Sequence, residues 1–76
     1  MLPQLVIAGT FQQYAKFCQE HGAMPHDGQF VFITYPSEML GRDPDSEVHF
    51  VGTYKDRIDS YEMLQVAEDR FGARPK

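Results

Sequence analysis

The sequence predicts an α/β fold: a three-stranded parallel sheet with two helices, in the order β-α-β-turn-β-α. Three observations predict it. The run Leu5-Val6-Ile7-Ala8-Gly9-Thr10-Phe11 is echoed by Val48-His49-Phe50-Val51-Gly52-Thr53-Tyr54, each an apolar run, then Gly-Thr, then an aromatic residue. Each copy is followed by a helical stretch closed by a glycine, Gly22 or Gly72. Between them lies Phe30-Val31-Phe32-Ile33-Thr34-Tyr35, aromatic and β-branched almost throughout, the composition that suits a pleated surface.

The elements follow in order. Leu5 to Ala8 is continuously apolar, as expected of a strand buried on both faces. Gly9 ends it, and the Thr10 hydroxyl is placed to accept a free first-turn N–H of the next helix. That helix is predicted over Phe11 to His21, with Phe11, Tyr14, Ala15 and Cys18 on one stripe and Gln12, Gln13, Lys16, Gln19 and Glu20 mostly outside it. Gly22 is the left-handed stop. Ala23 to Gln29 is a loop, and the second strand spans Phe30 to Tyr35. Pro36 to Gly41 reads as one short helical turn, Pro early and Gly late. Arg42 to Ser46 is a turn-rich loop. Glu47 to Val51 is the third strand and Tyr54 to Ile58 a loop. The second helix runs from Ser60 to Phe71, with Met63, Leu64, Ala67 and Phe71 on one face. Asp59 and Glu62 have the spacing of a capping box. Ala73 to Lys76 is expected to fray.

A helical crossover after the first strand implies parallel pairing. The predicted strand order is 2-1-3, a minimal Rossmann-like core in a single domain over residues 1–76. The plainer origin of the repeat is that any two βα units need an apolar strand and a helix cap. Its geometric consequence stands: the Gly-Thr ends share one carboxyl edge with Thr34 and Tyr35, and ligands of open α/β sheets bind at that edge.

Size and composition bound the function. A chain of 76 residues buries only roughly 60% of its unfolded surface and is marginal alone. It carries 42% apolar residues and no low-complexity tract, so it is globular. Cys18 is the only cysteine, which excludes an internal disulfide and fits a reducing compartment. No apolar run approaches the ~20 residues of a membrane span, and Met1 to Gln4 lacks the basic start of a signal peptide. The expected location is the cytoplasm. Eleven acidic against seven basic residues, net charge -4, argue against sequence-independent nucleic-acid binding, which feeds on phosphate neutralisation.

The carboxyl edge is the candidate ligand site. It gathers Gly9, Thr10, Thr34, Ser37, Gly52, Thr53 and Tyr54, where small residues and helix N-termini suit an anion. Arg42 and Arg57 are candidate cations for it. Capping and tight turning ask for the same residues, and that role is the default. Neither G-x-x-x-x-G-K-[ST] nor G-x-G-x-x-G follows the first strand. Leu40-Gly41-Arg42 before the strand Val48-His49-Phe50-Val51 resembles the stretch preceding the acidic Mg²⁺-binding strand of helicase and terminase ATPase cores. Gly52-Thr53 stands where their Asp-Glu pair would be, so the resemblance implies no ATP hydrolysis. Cys18-x2-His21-x4-His26 lacks a well-spaced fourth ligand, so no metal is expected. Asp43, Asp45 and Glu47 lack the glycine and terminal glutamate of an EF-hand and read as a solvated turn. Cys18 sits on the apolar stripe, Ser37 has no His-Asp partner set, and His49 lies inside a strand. No catalytic residue and no cofactor are expected.

The apolar inventory exceeds what two helices and three strands can hide. Phe17 and Val66 lie off the main stripes, and Tyr61 and Phe71 add aromatic surface. These four are the candidate interface residues, since exposed patches mark contacts and small domains gain stability by oligomerising. Strand-Gly-Thr, a short helix, an aromatic strand, Leu-Gly-Arg and strand-Gly-Thr-Tyr together resemble small uncharacterised accessory proteins of tailed bacteriophages, from Leu5 to about Phe71. The resemblance implies a phage accessory protein in the host cytoplasm and transfers no catalytic residue. The expected function is a non-enzymatic interaction protein, a homo-oligomer that also binds a host or phage protein. The alternative is a small-ligand or nucleotide binder at the Gly-Thr edge.

Overall fold

A computed structural model describes residues 3–26 and 28–75. Strand β1 spans Gln4–Ala8, helix α1 Phe11–Glu20, β2 Phe30–Phe32, β3 Val48–Val51 and α2 Ser60–Phe71. Short 3-10 turns cover Pro36–Met39 and Tyr54–Asp56. The sheet is parallel in the order β2-β1-β3, as the crossover argument requires. Gln4, Leu5 and Val6 face Phe30, Val31 and Phe32; Leu5 to Ala8 face Val48 to Val51.

The central strand explains its own composition. Leu5, Val6, Ile7 and Ala8 are all fully buried. Successive side chains point to opposite faces, so one strand feeds two cores. Val6 and Ala8 pack with Tyr14 and Cys18 of α1 and with Phe30. Leu5 and Ile7 pack with Met63 and Ala67 of α2, and with Ile33 and Met39. Met39, fully buried, comes from the first 3-10 turn. The α2-side core is thus completed by a turn as well as a helix. No helix among the described residues is long and apolar enough to cross a membrane.

Besides a start at Gln4 for β1 and at Val48 rather than Glu47 for β3, and a 3-10 turn within the Tyr54 to Ile58 loop, four details depart from the sequence reading. Helix α1 ends at Glu20, with His21 as its cap and Gly22 at φ +69°. Strand β2 stops at Phe32 rather than Tyr35. Its ladder makes one further bond, Ile33 N–H to Val6 O at 3.0 Å, and then loses its partner because β1 turns away at Gly9. The N–H groups of Thr34 and Tyr35 instead donate to Glu38 Oε1 at 2.7 and 2.8 Å. The Asp59–Glu62 capping box does not form: Asp59 is the α2 N-cap residue, but its carboxylate is engaged by Arg57. The tail expected to fray is tied at Ala73, whose N–H reaches Ala67 O at 3.1 Å, and at Arg74, which pairs with Glu68 at 2.8 Å; Lys76 lies outside the described residues.

Candidate functional site

The carboxyl edge forms where the repeat places it, and three side chains reach into it. Thr10 is the N-cap of α1, its hydroxyl accepting Gln13 N–H at 3.2 Å. That leaves the Gln13 amide over the edge. Its Oε1 accepts the N–H groups of both Gly9 and Thr53 at 3.0 Å, while its Nε2 donates to Thr53 Oγ1 at 3.0 Å. Here the glycines matter. Gly52 sits at φ +62°, and a Cβ there would collide with the Gln13 side chain; a Cβ at Gly9 would collide with Thr53 Oγ1. The two Gly-Thr turns are therefore shaped around one glutamine that joins them.

Arg57 closes the other half of the edge. Its Nη1 donates to Ala8 O at 3.0 Å and Ile33 O at 2.9 Å, and its Nη2 to Thr34 O. Nε and Nη2 also reach Asp59 Oδ1 and Oδ2 at 3.0 and 3.2 Å. A guanidinium has five N–H donors. Three carbonyls and both oxygens of one carboxylate account for all five. The carbonyls belong to the ends of β1 and β2, so Arg57 continues the pairing after the ladder stops. Its plane lies over the Phe32 ring, 5.9 Å from the centroid. The cation proposed for a ligand is committed to the strand ends and neutralised by Asp59.

The remaining candidates divide. Thr34 is exposed beside the Arg57 contact, and Ser37 is exposed in the first 3-10 turn, its carbonyl accepting Leu40 N–H at 3.2 Å. Tyr54 opens the second 3-10 turn with its ring 5.3 Å from Phe50. Arg42 donates its backbone N–H to Met39 O at 3.2 Å and is tied by no described hydrogen bond to the strand ends. Cys18 is fully buried, and His21 turns its Nδ1 to Phe17 O at 2.9 Å.

The exposed apolar side chains are not those the helix stripes select. Phe17 is half-buried, its ring 5.0 Å from Phe30 and 5.2 Å from His49. Val66 and Phe71 pack against the α2-side core. Tyr61 remains 78% exposed. It is joined by Tyr35, Phe11 and a fully exposed Ile58. Phe11 opens α1, Tyr35 follows β2, and Ile58 and Tyr61 precede and open α2, so all four stand at the carboxyl end of the sheet. Phe11 lies on the predicted core stripe yet overhangs the sheet, because α1 begins beyond the strand ends. Among the described residues, Met24 and Leu40 are the other large exposed apolar ones.

A second feature lies along β3. A groove of about 690 Å³ follows this strand and is walled by Lys16, Phe17 and Glu20 of α1 and by Tyr54 and Arg74. His49 lies in it, hydrogen-bonded through Nε2 to Gln4 Oε1 and 3.7 Å from Glu47. Burial lowers the His49 pKa below the ordinary imidazole value, Glu47 opposes the shift and His21 adds to it.

No family model, curated protein or solved structure matches the chain.

Proposed function

We propose that this chain is a non-enzymatic interaction protein that associates with itself and docks a protein partner on the apolar rim of its carboxyl edge. One observation carries the reading. At the edge where α/β sheets hold ligands, the polar groups of Gly9, Thr53, Ala8, Ile33 and Thr34 are spent on Gln13 and Arg57. The large apolar side chains the edge presents outward are Phe11, Tyr35, Ile58 and Tyr61. The Gly9 and Thr53 N–H donors that an anion would use are taken by Gln13, whereas a protein surface needs exposed aromatic and aliphatic anchors. The resemblance to tailed-phage accessory proteins makes a phage or host protein in the cytoplasm the class of partner to seek. The nucleotide reading is supported less, because a phosphate at this edge must first displace Gln13.

Native mass spectrometry of protein purified without nucleotide tests the reading. The expected spectrum contains multiples of the chain without small-molecule adducts. A monomer carrying a discrete adduct contradicts it. A photo-cross-linking residue in place of Ile58 should capture one discrete protein in cells; a blank result removes the rim as the docking face.

A further inference from the structure

Both outer strands of a three-stranded sheet present a free edge, and here the two edges differ. Leu5 N–H donates to Glu47 O at 2.8 Å. In a parallel ladder this sets the alternation: Glu47, His49 and Val51 turn their backbone groups toward β1, while Val48 and Phe50 turn theirs outward. By the same logic Phe30 and Phe32 face outward on β2. There one of the four outward groups, the Phe30 carbonyl, is covered, 2.8 Å from the buried Tyr14 hydroxyl. No described residue hydrogen-bonds the outward N–H and C=O groups of Val48 and Phe50. The strand itself carries no proline, a usual device against edge pairing, and the groove beside it is flanked by Arg74 and Pro75 of the tail.

We infer that β3 is a strand-pairing edge and that its occupant is a second copy of this chain, added antiparallel about a two-fold axis through His49. This rests on the proposed self-association and supplies its geometry. The axis sets Val48 opposite Phe50 of the second copy, and Phe50 opposite its Val48. Both are hydrogen-bonded positions, so the four outward groups of one strand meet the four of the other. The groove wall is self-complementary as well. The Phe17 ring lies 5.2 Å from that of His49, so the axis passes α1 between Lys16 and Glu20, one turn apart. Two-fold rotation then brings Lys16 toward Glu20 of the other copy, twice. An isologous contact demands this match of a patch with itself. The product is a continuous six-stranded sheet with the apolar rims left open.

Sedimentation and amide hydrogen exchange on the intact chain across a dilution series test it. The mass should fall from two chains to one on dilution. The Val48 and Phe50 amides should exchange about tenfold or more slowly when concentrated than when dilute. Lys16→Glu should weaken the dimer, and adding Glu20→Lys should restore it, a rescue that a merely unfolded variant cannot show. A chain monomeric at all concentrations overturns both the pairing and the self-association. A dimer whose Val48 and Phe50 amides stay fast overturns the pairing alone. Ile58→Ser with Tyr61→Ser should leave the dimer mass unchanged; its loss would move the self-contact to the rim and overturn β3 pairing.

Discussion

The carboxyl edge and the β3 edge of this small sheet invert the usual expectation. The first is the conventional binding position, yet the N–H groups of Gly9, Thr53, Thr34 and Tyr35 and the carbonyls of Ala8, Ile33 and Thr34 are taken by Gln13, Glu38 and Arg57. The second is an ordinary strand flank, where no described residue pairs the outward groups of Val48 and Phe50. A sheet of three short strands runs out of partners quickly. Where β1 ends, side chains reach back to finish the ladder; along the outer side of β3, no described residue does. The lesson is that residual hydrogen-bonding capacity, rather than position in the fold, marks where a minimal α/β domain makes contact.

Breaking the closed edge should have the largest effect. Arg57→Ala leaves the carbonyls of Ala8, Ile33 and Thr34 unpaired and strands Asp59. Removing one partner of a largely buried pair costs about 3–5 kcal/mol. A chain of 76 residues holds about 4–11 kcal/mol in total. Urea denaturation should therefore find this variant largely unfolded. Arg57→Lys keeps the charge without the planar fork and should recover only part of the loss.

Gln13→Ala and Gly52→Ala probe the other half of the edge. The first leaves the Gly9 and Thr53 N–H groups without their acceptor and should cost about 1–2 kcal/mol. The second forces a side chain into φ +62° against Gln13, a conformational penalty of about 1–2 kcal/mol before the collision is counted. Equal urea midpoints for wild type and Gln13→Ala would show that the glutamine does not join the two turns.

The His49 shift gives a smaller, signed effect. Its pKa is lowered in the fold, so the unfolded chain binds the proton more readily. Its favourable contribution is complete above the ordinary value of 6.5 and is lost as pH falls through that value toward the folded one. The melting temperature should drop on acidification through this window, and His49→Gln should flatten that part of the profile. A wild-type profile that rises instead would mean the imidazole is stabilised as a cation by Glu47.

The rim should matter least to stability. Ile58→Ser and Tyr61→Ser touch side chains that stand in solvent, so each should change unfolding free energy by less than about 0.5 kcal/mol. A larger loss would place these residues in a packed interface within the chain.

Much of this comparison was legible in the residues. The continuous run Leu5 to Ala8 announces a strand buried on both faces, the Gly-Thr repeat a shared edge, Thr10 a cap, and Gly22 and Gly72 left-handed stops at φ +69° and +63°. These signals are local, carried by neighbours within a turn or a pleat. What closes the edge is not local. Gln13 meets Thr53 forty residues on, and Arg57 reaches back 49 residues to Ala8. Neither contact has a period or a spacing that a pattern can show, and on α1 Gln13 looks like any solvent-facing polar residue. The diversion of Asp59 from its cap is a contact two residues apart with Arg57, and β2 shortens because β1 turns away at Gly9 and leaves Thr34 and Tyr35 to Glu38. Ile58 escaped notice because an isolated apolar residue in a loop belongs to no stripe.

The most direct test is one amide NMR spectrum followed over a dilution series and then with a nucleoside triphosphate added. The predicted result is that Val48 and Phe50 shift on dilution while Gly9, Thr10, Gly52 and Thr53 hold still throughout. Saturable shifts at the Gly-Thr turns on adding nucleotide, with Val48 and Phe50 indifferent to concentration, would contradict it.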